Sequence, residues 1–230
     1  MRLSLVDDQD TARAVSDLLD EVWGAVPGDP VLRPEIVRAL AASGGYVAVA
    51  HDDDDRLVGA SAGWLGYDDG PLTLHSHITG TLPSVRSTGV GFALKQHQRD
   101  WCLAQGIEHI RWTFDPLVRR NAWFNLSRLG ATIDRYEPDY YGAMTDAINA
   151  GDESDRAVVH WHLTQPREPV ATGTRLVETP ADIEALRADD PAAARAWRRR
   201  LRDELADPLD DGWVVAGFTR DGCYVLERST

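Results

Sequence analysis

The sequence contains almost no lysine, very little cysteine and no long hydrophobic run. Lys95 is the only lysine among the 230 residues, and Cys102 and Cys223 are the only cysteines. The two cysteines lie far apart and form neither a CxxC nor a Cys/His spacing, which excludes a disulfide framework and predicts no metal site. We expect both to be small buried apolar groups.

Positive charge is scarce relative to negative charge, since the formal net charge is −13. A general binder of nucleic acid or of anionic membranes needs a basic surface, so we expect neither partner. No apolar segment reaches the length of a membrane span, and the first residues, Met1-Arg2-Leu3-Ser4, lack the apolar core of a signal peptide. These absences predict a cytoplasmic protein.

Hydrophobic periodicity predicts strands and helices in alternation, which places the chain in the α/β class. The predicted strands are 3–6, 46–50, 57–65, 72–82, 109–114, 131–136 and 156–163, and the predicted helices are 11–23, 34–42, 89–104 and one marked by Ala122, Leu126 and Leu129. After a proline-containing segment, a second pattern follows: a strand at 175–178, helices at 181–187 and 191–205, and a hairpin of 213–218 and 223–227. We therefore predict a first domain at 1–165 and, at 166–230, a C-terminal α/β extension packed on it.

The stretch from His75 to Gly91 is the most informative part of the sequence. Its first half alternates like a strand, Pro83 begins a turn, and Gly89 and Gly91 open a periodic helix. The first N–H groups of a helix have no partner within the helix and lie at the positive end of its dipole, while glycine lets a phosphate approach the backbone closely. This arrangement predicts an anion site.

The segment Pro83-Ser84-Val85-Arg86-Ser87-Thr88-Gly89-Val90-Gly91 resembles the Arg/Gln-x-x-Gly-x-Gly/Ala loop of the GNAT superfamily of N-acetyltransferases. The order of the predicted elements through residue 163 also resembles that family. The resemblance implies a mixed, mostly antiparallel central sheet flanked by helices, with acetyl-CoA or another acyl-CoA as co-substrate. It also implies that backbone groups of the loop hold the pyrophosphate; these candidate residues are Arg86, Ser87, Thr88, Gly89, Val90 and Gly91.

A second signature of the family is present only in part. Leu129-Gly130 is present, but the usual Tyr position holds Leu126 and the usual Asn position holds Arg119. Asn121 and Asn125 are the nearby candidates for binding the pantetheine arm. The family's usual proton donor to the thiolate is therefore absent, and Tyr140, Tyr141 or solvent is expected to replace it.

The base is marked more clearly, by His75 and His77. Residues two apart on a strand point to one face, and imidazole titrates near neutral pH, so the pair can deprotonate an amine. A similar His-x-His, nine residues before the loop arginine, occurs in serotonin N-acetyltransferase. A backbone N–H near Leu82 is the candidate for stabilising the oxyanion.

Two further residues, Asp115 and Trp112, are candidates for holding the acceptor. Asp115 also has the position of a helix cap, and Trp112 also has the pattern of a core residue. We expect an N-acyltransferase that transfers an acetyl group to a small primary amine, with a homodimer left open. The alternative is a sensor or interaction module that binds acyl-CoA without catalysis.

Overall fold

The computed structural model describes residues 1–67, 70–144, 146, 151–165 and 174–228. In the described residues the strands are β1 (Arg2–Leu5), β2 (Tyr46–His51), β3 (Leu57–Tyr67), β4 (Leu72–Thr81), β5 (His109–Phe114), β6 (Thr132–Glu137), β7 (Arg156–His162), β8 (Thr174–Glu178), β9 (Trp213–Phe218) and β10 (Cys223–Arg228). The α-helices are α1 (Gln9–Trp23), α2 (Pro34–Ala42), α3 (Val90–Ala104), α4 (Arg119–Ala122), α5 (Ile183–Asp189), α6 (Pro191–Leu201) and α7 (Asp207–Asp210). The fold is the predicted one: mixed α/β, with mostly antiparallel strands flanked by helices.

Two of the predicted helices are irregular. The helix marked by Leu126 begins as α4 but continues as a π-helix over Trp123–Arg128. Similarly, α6 passes into a π-helix over Arg202–Ala206 before α7. In a π-helical turn, apolar residues still recur at a spacing of roughly four residues. The sequence pattern alone therefore does not distinguish a π-helix from an α-helix.

The chain divides into two compact units, of which the first comprises 1–110 and 145–148. Its strands β1 to β4 form an antiparallel meander. Asp8 caps α1 by accepting a hydrogen bond from the N–H of Thr11, and Gly24 ends this helix in the left-handed conformation. The apolar faces of α1 and α2 pack on one side of the meander; the core residues include Val15, Leu19, Val37, Val49 and Ile78.

Helix α3 packs against the same strands through Gly59. A Cβ atom at Gly59 would lie 3.1 Å from side-chain atoms of both Val90 and Leu94. The absence of a side chain therefore lets the start of α3 approach β3 closely. This close approach fixes where the N-terminus of α3 lies relative to the β3–β4 hairpin.

The second unit comprises 111–144 and 149–230. In it, β6 pairs with β7, and β8, β10 and β9 form a three-stranded antiparallel sheet in that order. The hydroxyl of Tyr224 donates to the Pro116 carbonyl at 2.6 Å, and that of Ser127 donates to the Phe218 carbonyl at 2.9 Å. These bonds join the C-terminal strands to the α4 region.

The interior of this unit holds a cluster of four charged side chains. Arg198 is almost completely buried and binds both Asp115 and Asp152 at 2.8 Å, and Arg187 binds the same two carboxylates. Burial by itself raises the pKa of Asp115, but the charges and hydrogen bonds of the two arginines outweigh it and lower that pKa. A buried carboxylate needs such partners, so the cluster holds α5 and α6 against the loop after β5.

No helix in the described part of the chain is long and apolar enough to cross a membrane. The domain boundary at 165 and 166 stays a prediction, because residues 166–173 lie outside the described residues.

Replacing Arg198 with methionine should lower the free energy of unfolding by roughly 3–5 kcal/mol. The reason is that two buried carboxylates would then share one arginine, Arg187, instead of two. The measurement is urea unfolding at pH 7. Arg199→Met is the matched control on the same helix, where the side chain is exposed, and it should change the free energy of unfolding by about 0.5 kcal/mol or less. Equal midpoints for the two variants would contradict a stabilising role for the cluster.

Candidate active site

The β3–β4 hairpin contains a bulge at the predicted catalytic residues. Ala62 pairs with Ile78 and Trp64 pairs with His75, so Gly63 lies opposite both Ser76 and His77. A Cβ atom at Gly63 would lie 2.5 Å from the His75 carbonyl oxygen, a distance that no side chain tolerates. Glycine is therefore required for the two backbones to meet here, and the bulge redirects the side chains of β4.

His75 and His77 lie together against one aromatic side chain. The indole of Trp64 stacks on both imidazoles, with ring centroids 4.8 Å from His75 and 4.7 Å from His77. The two imidazole centroids are 5.9 Å apart. The structure thus brings the two histidines of the His-x-His pair together against Trp64. The hairpin register could have identified Trp64 as their partner.

Burial lowers the pKa of His77 below its usual value of 6.5. The lower pKa keeps this imidazole neutral at pH 7, and only the neutral form can accept a proton. The His77 side chain therefore has the protonation state that a general base needs.

The loop after β4 has the geometry of an anion-binding turn. Pro83–Val85 form one 3₁₀ turn, Ser87 has φ of 65° and Gly89 has φ of 100°. Positive φ at Gly89 costs little because glycine lacks a Cβ atom. The chain then enters α3 at Val90 without a side-chain cap.

The first turn of α3 leaves backbone donors open. Within the described residues, the N–H groups of Gly89, Val90 and Gly91 donate to no protein acceptor. Three adjacent N–H groups at the positive end of a fifteen-residue helix favour an anion. A Cβ atom at Gly91 would touch only the Thr81 methyl group, at 3.8 Å, so the approach to this backbone is open.

The remaining loop residues contribute mainly to the turn itself. The Thr88 hydroxyl donates to the Val85 carbonyl at 2.7 Å, and the Arg86 N–H donates to the Pro83 carbonyl at 3.3 Å. The Leu82 N–H donates to the Val58 carbonyl at 3.0 Å. This N–H is therefore engaged in joining β4 to β3, and the expectation that a backbone N–H near Leu82 stabilises an oxyanion stays a prediction.

A buried polar network beneath the hairpin was not found by sequence reasoning. The ammonium of Lys95 donates to the Ser76 hydroxyl at 2.7 Å and to the Gln98 side-chain carbonyl at 3.2 Å. The Gln98 amide continues to the Ser61 hydroxyl at 3.4 Å. The only signal in the sequence is that its single lysine lies within the helix predicted at 89–104.

The other candidates lie in the second unit. Trp112 is buried and its indole N–H donates to the Asn125 side-chain carbonyl at 3.3 Å, so these two residues bind each other. Asn121 is half-buried. Asp115 accepts a hydrogen bond from the Leu117 N–H, as a cap does, in addition to its ion pairs.

Tyr140 and Tyr141 are both 43% exposed, with ring centroids 4.6 Å apart. The Tyr141 hydroxyl lies 3.1 Å from that of Thr113, and the Arg156 guanidinium lies over the Tyr141 ring at 5.3 Å. Tyr141 therefore has a hydroxyl neighbour and a cationic neighbour.

The departures from the second family signature have a structural explanation. Arg119 donates to the hydroxyl and the carbonyl of Thr179 and lies against Gly222, where a Cβ atom would be 2.2 Å from its Nε. Leu126 is buried. Both positions therefore pack within the second unit.

Comparison with solved structures supports the fold. The chain is similar to yncA from Salmonella typhimurium with its cofactor acetyl-CoA (15% identity, 75% of this chain and 99% of the other, TM-score 0.55). It is also similar to an aminoglycoside 6'-N-acetyltransferase complexed with coenzyme A (16%, 73% and 100%, 0.54). A third similar structure is Naa20 from Chaetomium thermophilum in complex with a bisubstrate analogue (16%, 70% and 86%, 0.53).

Among curated proteins none matches the sequence. The model of the Acetyltransferase (GNAT) family matches residues 12–130, which is more than half of the 230 residues and includes most of α1 and all of α2 to α4 with the loop before α3. The chain therefore belongs to the GNAT family of acetyltransferases.

Proposed function

We propose that the protein transfers the acetyl group of acetyl-CoA to a primary amine by direct attack of the amine on the thioester. The observation that carries this proposal is the continuity of β4, the loop and α3, which holds a pair of neighbouring imidazoles and an open helix N-terminus in one unit. The family membership and the acetyl-CoA and CoA in the similar structures support the co-substrate.

Acetyl-CoA fits the residues present. Its pyrophosphate would accept hydrogen bonds from the N–H groups of Gly89, Val90 and Gly91, whose donors are otherwise unused within the described residues. Arg86 and Ser87 border this backbone, and we assign them, with Thr88, to the rim of the site. Asn121 is the more accessible of the two asparagine candidates for the pantetheine arm.

The histidine pair would generate the nucleophile. An alkylammonium cannot attack a thioester, so one imidazole nitrogen of His75 or His77 accepts its proton first, directly or through water. The freed lone pair forms the new C–N bond, the C–S bond breaks, the nitrogen releases its second proton to solvent, and the thiolate accepts a proton. Tyr140 and Tyr141 are the proposed donors of that proton.

The alternative, an acyl-CoA sensor without catalysis, is supported by the buried Leu126 at the family's usual Tyr position. It requires the same loop but no base. The two functions therefore differ in whether CoA is released when acetyl-CoA is incubated with an amine panel.

Replacing Gly91 with leucine should abolish CoA binding without unfolding the protein. The Cβ atom of the new side chain meets only the Thr81 methyl group, at 3.8 Å, and leucine favours the helix by about 1 kcal/mol relative to glycine. It would, however, fill the approach to the open N–H groups. The measurement is calorimetric titration with CoA, beside a thermal unfolding curve.

Gly217→Leu is the matched control, because this glycine also has open space around it but lies on β9 in the second unit. Tight CoA binding by Gly91→Leu would show that the phosphate does not bind at the start of α3.

Replacing both His75 and His77 with glutamine should lower kcat about 100- to 10,000-fold at pH 7, because a positioned base contributes that much. The affinity for CoA should stay the same, since neither imidazole is in the loop. The measurement is thiol release from acetyl-CoA with the best amine of the panel.

His97→Gln is the control, because His97 lies on α3 with its Nδ1 2.8 Å from the Tyr46 hydroxyl and glutamine can replace that contact. Unchanged turnover in the double variant would leave the histidines without a catalytic role.

The lowered pKa of His77 also sets the sign of the pH dependence. The active form is the neutral imidazole, so the His77 contribution to kcat/KM should be constant near pH 7 and fall at lower pH, with a midpoint below 6.5. The measurement is a profile of kcat/KM from pH 5 to 9 for wild type and His77→Gln. A midpoint above 7 in the wild type would identify another group as the base.

A further inference from the structure

The one lysine of the sequence lies inside the protein. Lys95 is in the second turn of α3, with only 4% of its surface exposed. Its Nζ donates to the hydroxyl of Ser76 at 2.7 Å, which links the helix to β4. A long, flexible cationic side chain loses much conformational freedom when it is buried, so this position carries a cost that its contacts must offset.

Ser76 occupies the centre of the candidate site. It is the residue between His75 and His77, and with His77 it forms the bulge opposite Gly63. The Ser76 side chain reaches Lys95, while both imidazoles stack on Trp64. The position of the Ser76 backbone therefore decides where both imidazoles point.

The network continues past the bulge on both strands. The Gln98 side chain accepts from Lys95 at 3.2 Å and donates to Ser61 at 3.4 Å, and the Ser61 hydroxyl lies 2.8 Å from that of Thr79. Ser61 and Thr79 are directly paired across β3 and β4. The network thus ties α3 to the hairpin at the bulge and at the Ser61–Thr79 pair.

The charge of Lys95 is costly where it lies. Burial lowers its pKa to about 7, from an ordinary value of 10.5, and the thiol of Cys102, another buried group on α3, acts weakly in the opposite direction. An apolar side chain of the same length would avoid this cost. Fold stability alone therefore does not explain a lysine here.

We propose that Lys95 is a positioning residue, which fixes the bulge of β4 through Ser76 and thereby holds His75 and His77 in a set orientation relative to the first turn of α3. This inference rests on the proposed function, because the orientation matters only if the histidines act on a substrate bound at that turn. Lys95 itself contacts neither the acetyl group nor the amine in this proposal.

The test compares Lys95→Met, Ser76→Ala and the double variant, with Leu94→Met as a control for repacking a buried position on α3. In Lys95→Met we expect kcat to fall about 10- to 100-fold, because displacing a reacting group by about 1 Å causes a loss of this size. The KM for acetyl-CoA should change less than about twofold. The double variant should be no slower than the slower single variant, because both changes break one contact.

A second measurement does not depend on activity. The ring ¹⁵N and ¹H signals of His75 and His77, observed by NMR in the protein without substrate, should move in Lys95→Met and Ser76→Ala, and those of His109 should stay in place. If wild type acetylates no amine, the proposed function fails, and these spectra still decide whether Lys95 positions the histidines.

Unfolding experiments check that the variants fold. Wild type should become more stable as the pH rises from about 7 to 10.5, because over this range the unfolded chain binds the Lys95 proton and the folded protein does not. Lys95→Met should lack this rise and be at least as stable as wild type at pH 7. If Lys95→Met does not fold, Ser76→Ala carries the test alone.

Three results would overturn the proposal. They are unmoved histidine signals in Ser76→Ala, a kcat loss in Leu94→Met as large as that in Lys95→Met, and independent, additive losses in the double variant. A rise in KM for acetyl-CoA with unchanged kcat would likewise show that Lys95 supports only the loop.

Discussion

The contact between Gly63 and the His75 carbonyl is the constraint from which the candidate site follows. With no Cβ atom at Gly63, the two strands come close enough to admit one additional residue on β4. The bulge puts His75 and His77 against Trp64 and directs Ser76 to Lys95. One missing side chain thus allows the two histidines to contact Trp64 while Ser76 contacts the buried Lys95.

The local electrostatics of the first unit differ from those of the chain as a whole. The net charge of −13 would repel a pyrophosphate at long range, yet the first turn of α3 presents open N–H groups. Dipoles act over a short distance and need no desolvation of a side-chain charge, so they can bind an anion on an acidic protein. An acidic surface at the same time favours the approach of a cationic amine.

Much of the fold could be predicted from the sequence, because the elements that match are bounded by strong local signals. Pro34 and the glycines after Ala42 fix α2, and Asp115-Pro116 ends β5 where predicted. The residues that could not be predicted depend on contacts distant in sequence. Periodicity places Lys95 on a helix but does not show that its side chain contacts Ser76. The strand pattern likewise does not show that the Leu82 N–H donates a hydrogen bond to the Val58 carbonyl.

The second unit shows why a family signature can be lost without losing the fold. Arg119 stands where the family has an asparagine, and its side chain is held by Thr179 and covered by the turn at Gly222. Arg120 likewise pairs with Glu184, on α5. Residues 174–228 therefore supply partners for α4 that a shorter chain would lack, and α4 can use its polar side chains for packing.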